Sequence, residues 1–353
     1  MRCLICLFFL TSLIACDKLG PFDPADYQLS QLELGISFPP VENEKQRSFT
    51  EEELNILNVK KIRFAEDWAF REATQGEYNW GPLDARIAWT QTNNYEVLLT
   101  IQSKGPDWAC SNRQNERSCV YSNNQDFENY IVALLQRYPD QIAKIQYGNE
   151  WQSDFWYIGS ATEFVEANNV LYQAVQQHSP TTKVVLGGFT TISLRLMAGC
   201  AGKLVDFTDD DGALFDQTYL DANCGDDEFV AGLARIDTVL QNAQYDELDL
   251  HLYDDPGNWD EIYNHFKTLT NKPLIVSEFG GPNLNLEPKS DSYQAERIEY
   301  YIRKIDSLQI PEAYFFRLVE GSNNPAHATS GLIKNITNKR KDGFEIFRRF
   351  SNP

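Results

Sequence analysis

Residues 143–151 read Ala143-Lys144-Ile145-Gln146-Tyr147-Gly148-Asn149-Glu150-Trp151, and residues 273–281 read Pro273-Leu274-Ile275-Val276-Ser277-Glu278-Phe279-Gly280-Gly281. Each is a short run of strand character that hands a glutamate to a glycine-containing turn, the punctuation expected of a buried strand. Working outward, similar runs recur at 32–38, 61–64, 96–101, 183–187, 247–252 and 313–317. Amphipathic helical patterns lie between them at 81–92, 126–137, 161–177, 228–242, 259–269 and 292–307, several with Ser, Thr, Asp or Asn near their starts. Eight strands alternating with helices predict an α/β fold with a parallel sheet. A closed (β/α)8 barrel is preferred to a doubly wound sheet. No glycine-rich phosphate loop follows the first strand, where Gly35 stands alone. The chemically interesting residues also follow several different strands, as the C-terminal face of a barrel requires. The reading is one barrel over residues 31–353, with residues 190–227 an acidic insertion after strand five.

The chain has 353 residues, 42% of them apolar, which is enough for a large core, and a net charge of −20 with no Lys/Arg-rich run. Nucleic acid and anionic membrane surfaces are therefore poor partners. Polyanionic glycans are disfavoured for the same reason unless a local basic pocket overrides it. Met1-Arg2 is a short positive start, and the apolar stretch after it is too brief to span a membrane. It ends in Leu13-Ile14-Ala15-Cys16, which resembles the lipobox of bacterial lipoproteins. That resemblance implies a signal peptide at 1–15, a lipid on Cys16, a tether over 16–30, and an exported protein anchored at the periplasmic face or cell surface. Cys3 and Cys6 leave with the signal, so Cys110, Cys119, Cys200 and Cys224 remain. An even remainder in an oxidising compartment reads as two disulfides. Cys110–Cys119 with Cys200–Cys224 is the simplest of three connectivities. With four His and no CxxC or HxxxH spacing, no metal site is expected. Nothing calls for a nucleotide or flavin cofactor either.

Glu150 and Glu278 each stand where a strand reaches the barrel rim, and a carboxylate placed there costs stability unless it has partners or a task. Two such groups flanking one bond suit glycosidic cleavage, with one protonating the leaving oxygen and the other attacking the anomeric carbon. Asn149-Glu150 after strand four with Ser277-Glu278-Phe279-Gly280 after strand seven resembles clan A glycoside hydrolases. Over nearly the whole chain from Leu32, that resemblance implies Glu150 as acid/base, Glu278 as nucleophile and Asn149 as a ligand of the sugar 2-hydroxyl. It also implies that Arg63 on strand two bonds the nucleophile and keeps it ionised, and that His251 and Tyr253 contact substrate and nucleophile. Trp68 and Trp108 resemble loop tryptophans that serve the clan as sugar platforms, although packing under loops fits them equally. Many clan members place a Trp after strand eight as a floor for the sugar. Here Tyr314-Phe315-Phe316-Arg317 offers Phe316 or Phe315 in its place, and Arg317 as a further polar contact. The expected activity is retaining hydrolysis of a β-linked oligo- or polysaccharide. The alternatives are transglycosylation on the same site, or a non-catalytic glycan-binding surface lipoprotein. A Ser-His-Asp hydrolase is disfavoured by the lack of a Gly-x-Ser-x-Gly elbow.

Overall fold

The computed structural model describes residues 27–208, 212–282, 290–335 and 337–352. Eight parallel strands close a barrel: β1 (Glu33–Ser37), β2 (Lys61–Glu66), β3 (Glu96–Ile101), β4 (Lys144–Tyr147), β5 (Lys183–Phe189), β6 (Glu247–Tyr253), β7 (Leu274–Gly280) and β8 (Glu312–Phe315). Each strand pairs with its neighbours in sequence, and β1 closes on β8 with Glu33 opposite Glu312. The expected (β/α)8 architecture is present. The difference that bears on the site is at β7, which runs to Gly280, so Glu278 lies inside it rather than beyond its end. The helices that add to those read from the sequence include Glu44–Leu57 and Asp342–Ser351. The first starts on a capping box in which the Asn43 side chain accepts from Gln46 N.

The strands alternate sharply in chemistry. Their outer positions, such as Ile36, Ile62, Phe64, Leu99, Ile101, Leu186 and Leu250, are buried in the core cluster shared with the helices. Their inner positions are largely polar and satisfied across the barrel. At the end where the strands start, Lys61 Nζ meets Glu96 (2.6 Å), Glu312 (2.8 Å) and Glu33 (3.1 Å), while Lys144 Nζ meets Glu247 (2.6 Å) and Glu312 (3.0 Å). Above this floor, Leu98, Val185 and Ile275 form an apolar layer with Tyr314. The Tyr314 ring occupies the space a side chain at Gly35 would need, since a Cβ there would lie 2.4 Å from Tyr314 Cδ1. A layer drawn from alternate strands is the usual barrel filling.

Burial would push the Glu312 carboxyl up, but Lys144 and Lys61 outweigh it and hold it below the usual range. Glu312→Ala strips one acid from two buried lysines and is expected to cost about 3–5 kcal/mol at pH 7, measured by urea unfolding. Because the folded pKa is depressed, this contribution is present above the ordinary Glu pKa. It is lost as pH falls through the folded value, so the gap between wild type and variant should narrow in acid.

The loops after the strands carry the disulfides. Cys110–Cys119 closes the hairpin of Cys110–Gln114 with Cys119–Tyr121, between β3 and β4. Cys200–Cys224 joins the end of helix Thr191–Cys200 to the end of helix Gln217–Asn223, between β5 and β6. Both local pairings are those expected. The second lies in the segment read as an insertion, which has a small core of its own in Phe207, Phe215 and Leu220. The signal segment, Cys16 and the tether to residue 26 lie outside the described residues. Tyr27 and Ser30 dock on the barrel: Tyr27 OH donates to Asp306 Oδ2 (2.9 Å), and Ser30 N and Oγ both donate to Asp306 Oδ1 (3.0 Å). No helix among the described residues is long and apolar enough to cross a membrane.

Candidate active site

After β4 the chain turns through Gly148 (φ 70°) to Glu150, a non-glycine residue at φ 46°. That left-handed conformation is unfavourable for an L-residue, and such positions cluster at functional sites. The turn is tied down by Gly148 N to Ile101 O (2.8 Å) and by Ser153 N to Glu150 O (3.0 Å). Trp151 is fully buried, donates to Gly187 O (3.1 Å) and stacks on Phe164 at 4.6 Å. It anchors the turn, while the Glu150 side chain stays 17% exposed. Glu278 reaches the same space from β7, where an extra residue shifts the register so that His251 pairs with Glu278 although Asp249 pairs with Ile275. One carboxylate oxygen of Glu150, one of Glu278 and one ring nitrogen of His251 lie within 4.8 Å of one another.

Arg63 organises the floor of the site. It is fully buried, and its donors reach Thr100 Oγ1 (3.0 Å), Ser37 Oγ (3.3 Å), Glu278 Oε1 (2.5 Å), Gln146 Oε1 (2.9 Å) and Asn149 Oδ1 (2.8 Å). Tyr253 OH donates to the other Glu278 oxygen at 2.5 Å. Burial would push the Glu278 carboxyl up. The charges of His251 and Arg63 and the Tyr253 hydrogen bond outweigh that and hold it well below the usual carboxylate range. With Oδ1 of Asn149 committed to Arg63, its amide N–H2 is the end left for a ligand.

His251 is fully buried, with Nδ1 2.9 Å from Glu150 Oε1 and Nε2 3.2 Å from Ser277 Oγ and 3.4 Å from Asp249 Oδ2. Burial favours the neutral ring, but Glu278 and Asp249 outweigh it and raise the His251 pKa well above its ordinary value. Asp249 is itself buried and accepts from Ser277 N (2.6 Å), Ser277 Oγ (2.5 Å) and Gln146 Nε2 (2.7 Å). Arg63, Gln146, Asp249, Ser277 and His251 thus link the two glutamates from below through one hydrogen-bonded chain. Glu150, His251 and Glu278 are also close enough to share a metal ion. Their atoms are already engaged with each other, Arg63 and Tyr253, and the guanidinium beside Glu278 opposes a second cation.

The site therefore gathers Glu150, Glu278, Asn149, Arg63, His251 and Tyr253. Trp68 is a correction: it is fully buried, bonds Glu72 through Nε1 (2.6 Å) and packs against Trp108, Tyr121, Phe127 and Tyr130. Enclosed by those rings, it cannot present a face to a sugar. Trp108 is half-buried and bonds Glu72 O (2.9 Å). Phe315 points outward into the core against Phe279 and Phe347, whereas half-buried Phe316 lies edge-on to Phe38 (6.1 Å) and Tyr253 (6.3 Å). Of the two candidates for a sugar floor, Phe316 is the one beside the carboxylates. The sequence reading did not single out Asp249, Gln146, or His327, whose ring lies 4.5 Å from that of Tyr253. It also missed an aromatic rim: Phe155 is 57% exposed and, with Trp156, lies under the Arg117 guanidinium at 4.1 and 4.9 Å.

No family model matches the chain, and no curated protein matches it in sequence. Solved structures do resemble it. A glucosidase from Croceicoccus marinus superposes with a TM-score of 0.65 at 15% identity, over 92% of this chain and 67% of the other. A family 39 glycoside hydrolase from Bacteroides cellulosilyticus gives 0.65 at 12% identity, over 94% and 65%. A Bispora xylanase with xylobiose gives 0.58 at 14% identity, over 90% and 95%. What they share is the barrel. The chain spans about two thirds of the length of the first two and nearly all of the third.

Proposed function

We propose that the chain is a retaining β-glycoside hydrolase acting on an oligo- or polysaccharide. The observation that carries this reading is the pair of glutamates with oxygens within 4.8 Å, one of them held ionised by Arg63 and Tyr253. Retaining enzymes keep their carboxyls about 5–5.5 Å apart, whereas inverting ones leave about 6.5–9.5 Å for a water. The fold likeness to a glucosidase, a family 39 glycoside hydrolase and a xylanase supports the same class. A Glu278 oxygen attacks the anomeric carbon as the bond to the leaving oxygen breaks, and Glu150 gives that oxygen its proton. A covalent glycosyl ester on Glu278 results. Glu150, now a carboxylate, takes a proton from water, whose oxygen attacks the same carbon and frees Glu278. Asn149 holds the sugar 2-hydroxyl, Phe316 supplies an apolar surface beside the ring, and His251 positions Glu150. Proton NMR of the first product from an aryl β-glycoside should show the β-anomer. A first-formed α-anomer, or no turnover across a broad panel, would end this reading.

The protein is anchored through a lipid on Cys16. Residues 27–30 dock at the end where β1 begins, and the carboxylates sit at the other end. The anchored barrel therefore turns its mouth away from the membrane. Cys16→Ala should shift the protein from the membrane to the soluble fraction or leave it unprocessed. Unchanged fractionation and mobility would rule the anchor out.

A further inference from the structure

Arg317 directly follows Phe316, and its guanidinium carbon lies 5.8 Å from the Phe316 ring. It is half-buried, and its Nε is buried with no hydrogen-bond partner. No carboxylate among the described residues pairs with it, in a chain with 51 Asp and Glu. Other arginines take such partners, as Arg86 does with Glu66, Arg235 with Asp154, Arg297 with Asp254 and Arg340 with Glu53. Withdrawing a guanidinium from water without a counter-charge is costly, and burial presses the Arg317 pKa below its ordinary value. One aromatic ring separates it from the residues around the nucleophile, since the Phe316 ring is 6.3 Å from that of Tyr253, whose hydroxyl bonds Glu278.

We propose that Arg317 receives an anionic group, a carboxylate or a sulfate, carried by a sugar of the substrate bound next to Glu278. The planar fork of arginine suits both oxyanions. A chain of net charge −20 repels polyanions at long range, so it can admit an acidic glycan only through local cations left unneutralised. Among the described residues Arg317 is such a cation. Arg117 on the rim is a second, facing two aromatic rings rather than a carboxylate among the described residues.

This assignment rests on the glycan-binding reading of the site, but its test needs no turnover. Calorimetry on Glu278→Gln protein would compare β-1,4-linked disaccharides of glucose, galactose and mannose, each as the neutral, C6-carboxylated and 6-sulfated form. In at least one series an anionic form should bind about ten- to a hundred-fold tighter than the neutral one, the gain of a charged hydrogen-bonded contact. Arg317→Gln should erase that preference, and the comparison of carboxylate with sulfate identifies the anion. Arg317→Lys, which keeps the charge without the fork, should retain part of it and serves if the Gln variant does not fold. Neutral ligands binding as tightly as anionic ones in every series would overturn the assignment, and so would a preference that survives Arg317→Gln. Failure of hydrolysis in the wild type would leave this binding comparison intact.

Discussion

Glu278→Ala is expected to lower turnover of aryl β-glycosides by at least about four orders of magnitude, because no other group can form the ester on which the two-step route depends. The loss should be partly reversible. Azide or formate can enter the space left by the missing carboxylate and attack the anomeric carbon directly, giving a product of inverted configuration. Glu150→Ala should behave differently. Substrates with good leaving groups need little proton donation, so glycosylation of Glu278 should survive with them and fail with poor leaving groups. Azide added to that variant should attack the glycosyl ester and give a β-azide with retention. The structure makes the assignment directional: Arg63 and Tyr253 bond both oxygens of Glu278, whereas Glu150 meets His251 and is the more exposed of the two, 17% against 8%. Exchanged phenotypes would mean that the two roles are reversed.

The eight strands were legible because each is a short run bounded by turn residues, and the two glutamates because both stand at the rim end of such a run. The Asn43–Gln46 capping box that opens helix Glu44–Leu57 was equally local and could have been read. What stayed hidden is nonlocal. Trp68 follows β2 as a platform residue would, yet its fate is set by Trp108, Tyr121, Phe127 and Tyr130, forty or more residues away in sequence. Asp249 looks like one more acid at a strand position until Ser277 and Gln146 arrive from β7 and β4 to bond it. That no carboxylate among the described residues pairs with Arg317 could not be read at all, since a missing partner leaves no trace in a sequence. The alternation Lys61-Ile62-Arg63-Phe64 did announce polar residues on one face of β2. Only barrel closure shows that this face is the inside, where Lys61 meets Glu312 of β8 across β1.

Gly188→Ala tests the positioning chain under Glu150. A Cβ at this place in β5 would lie 2.1 Å from His251 Nε2, 2.4 Å from His251 Cδ2 and 2.6 Å from Asp249 Oδ2. No real contact is that close, so the imidazole must move, and it is fully buried between Asp249, Ser277 and Glu150. Overpacking of this kind costs about 1–3 kcal/mol of stability. The effect on activity should be larger and selective. His251 Nδ1 holds Glu150 Oε1 at 2.9 Å, so a shifted ring misplaces the proton donor, and a displacement near 1 Å can cost about a hundredfold. Substrates with poor leaving groups should therefore lose about a hundredfold in kcat/KM. Those with good leaving groups, which need little protonation, should lose much less. Gly232→Ala, where a Cβ would meet nothing within 4 Å, is the control and should leave both rates unchanged. Equal losses on both kinds of substrate would point to general damage to the barrel. Retained activity on both would show that the close approach of β5 to His251 has no part in placing Glu150.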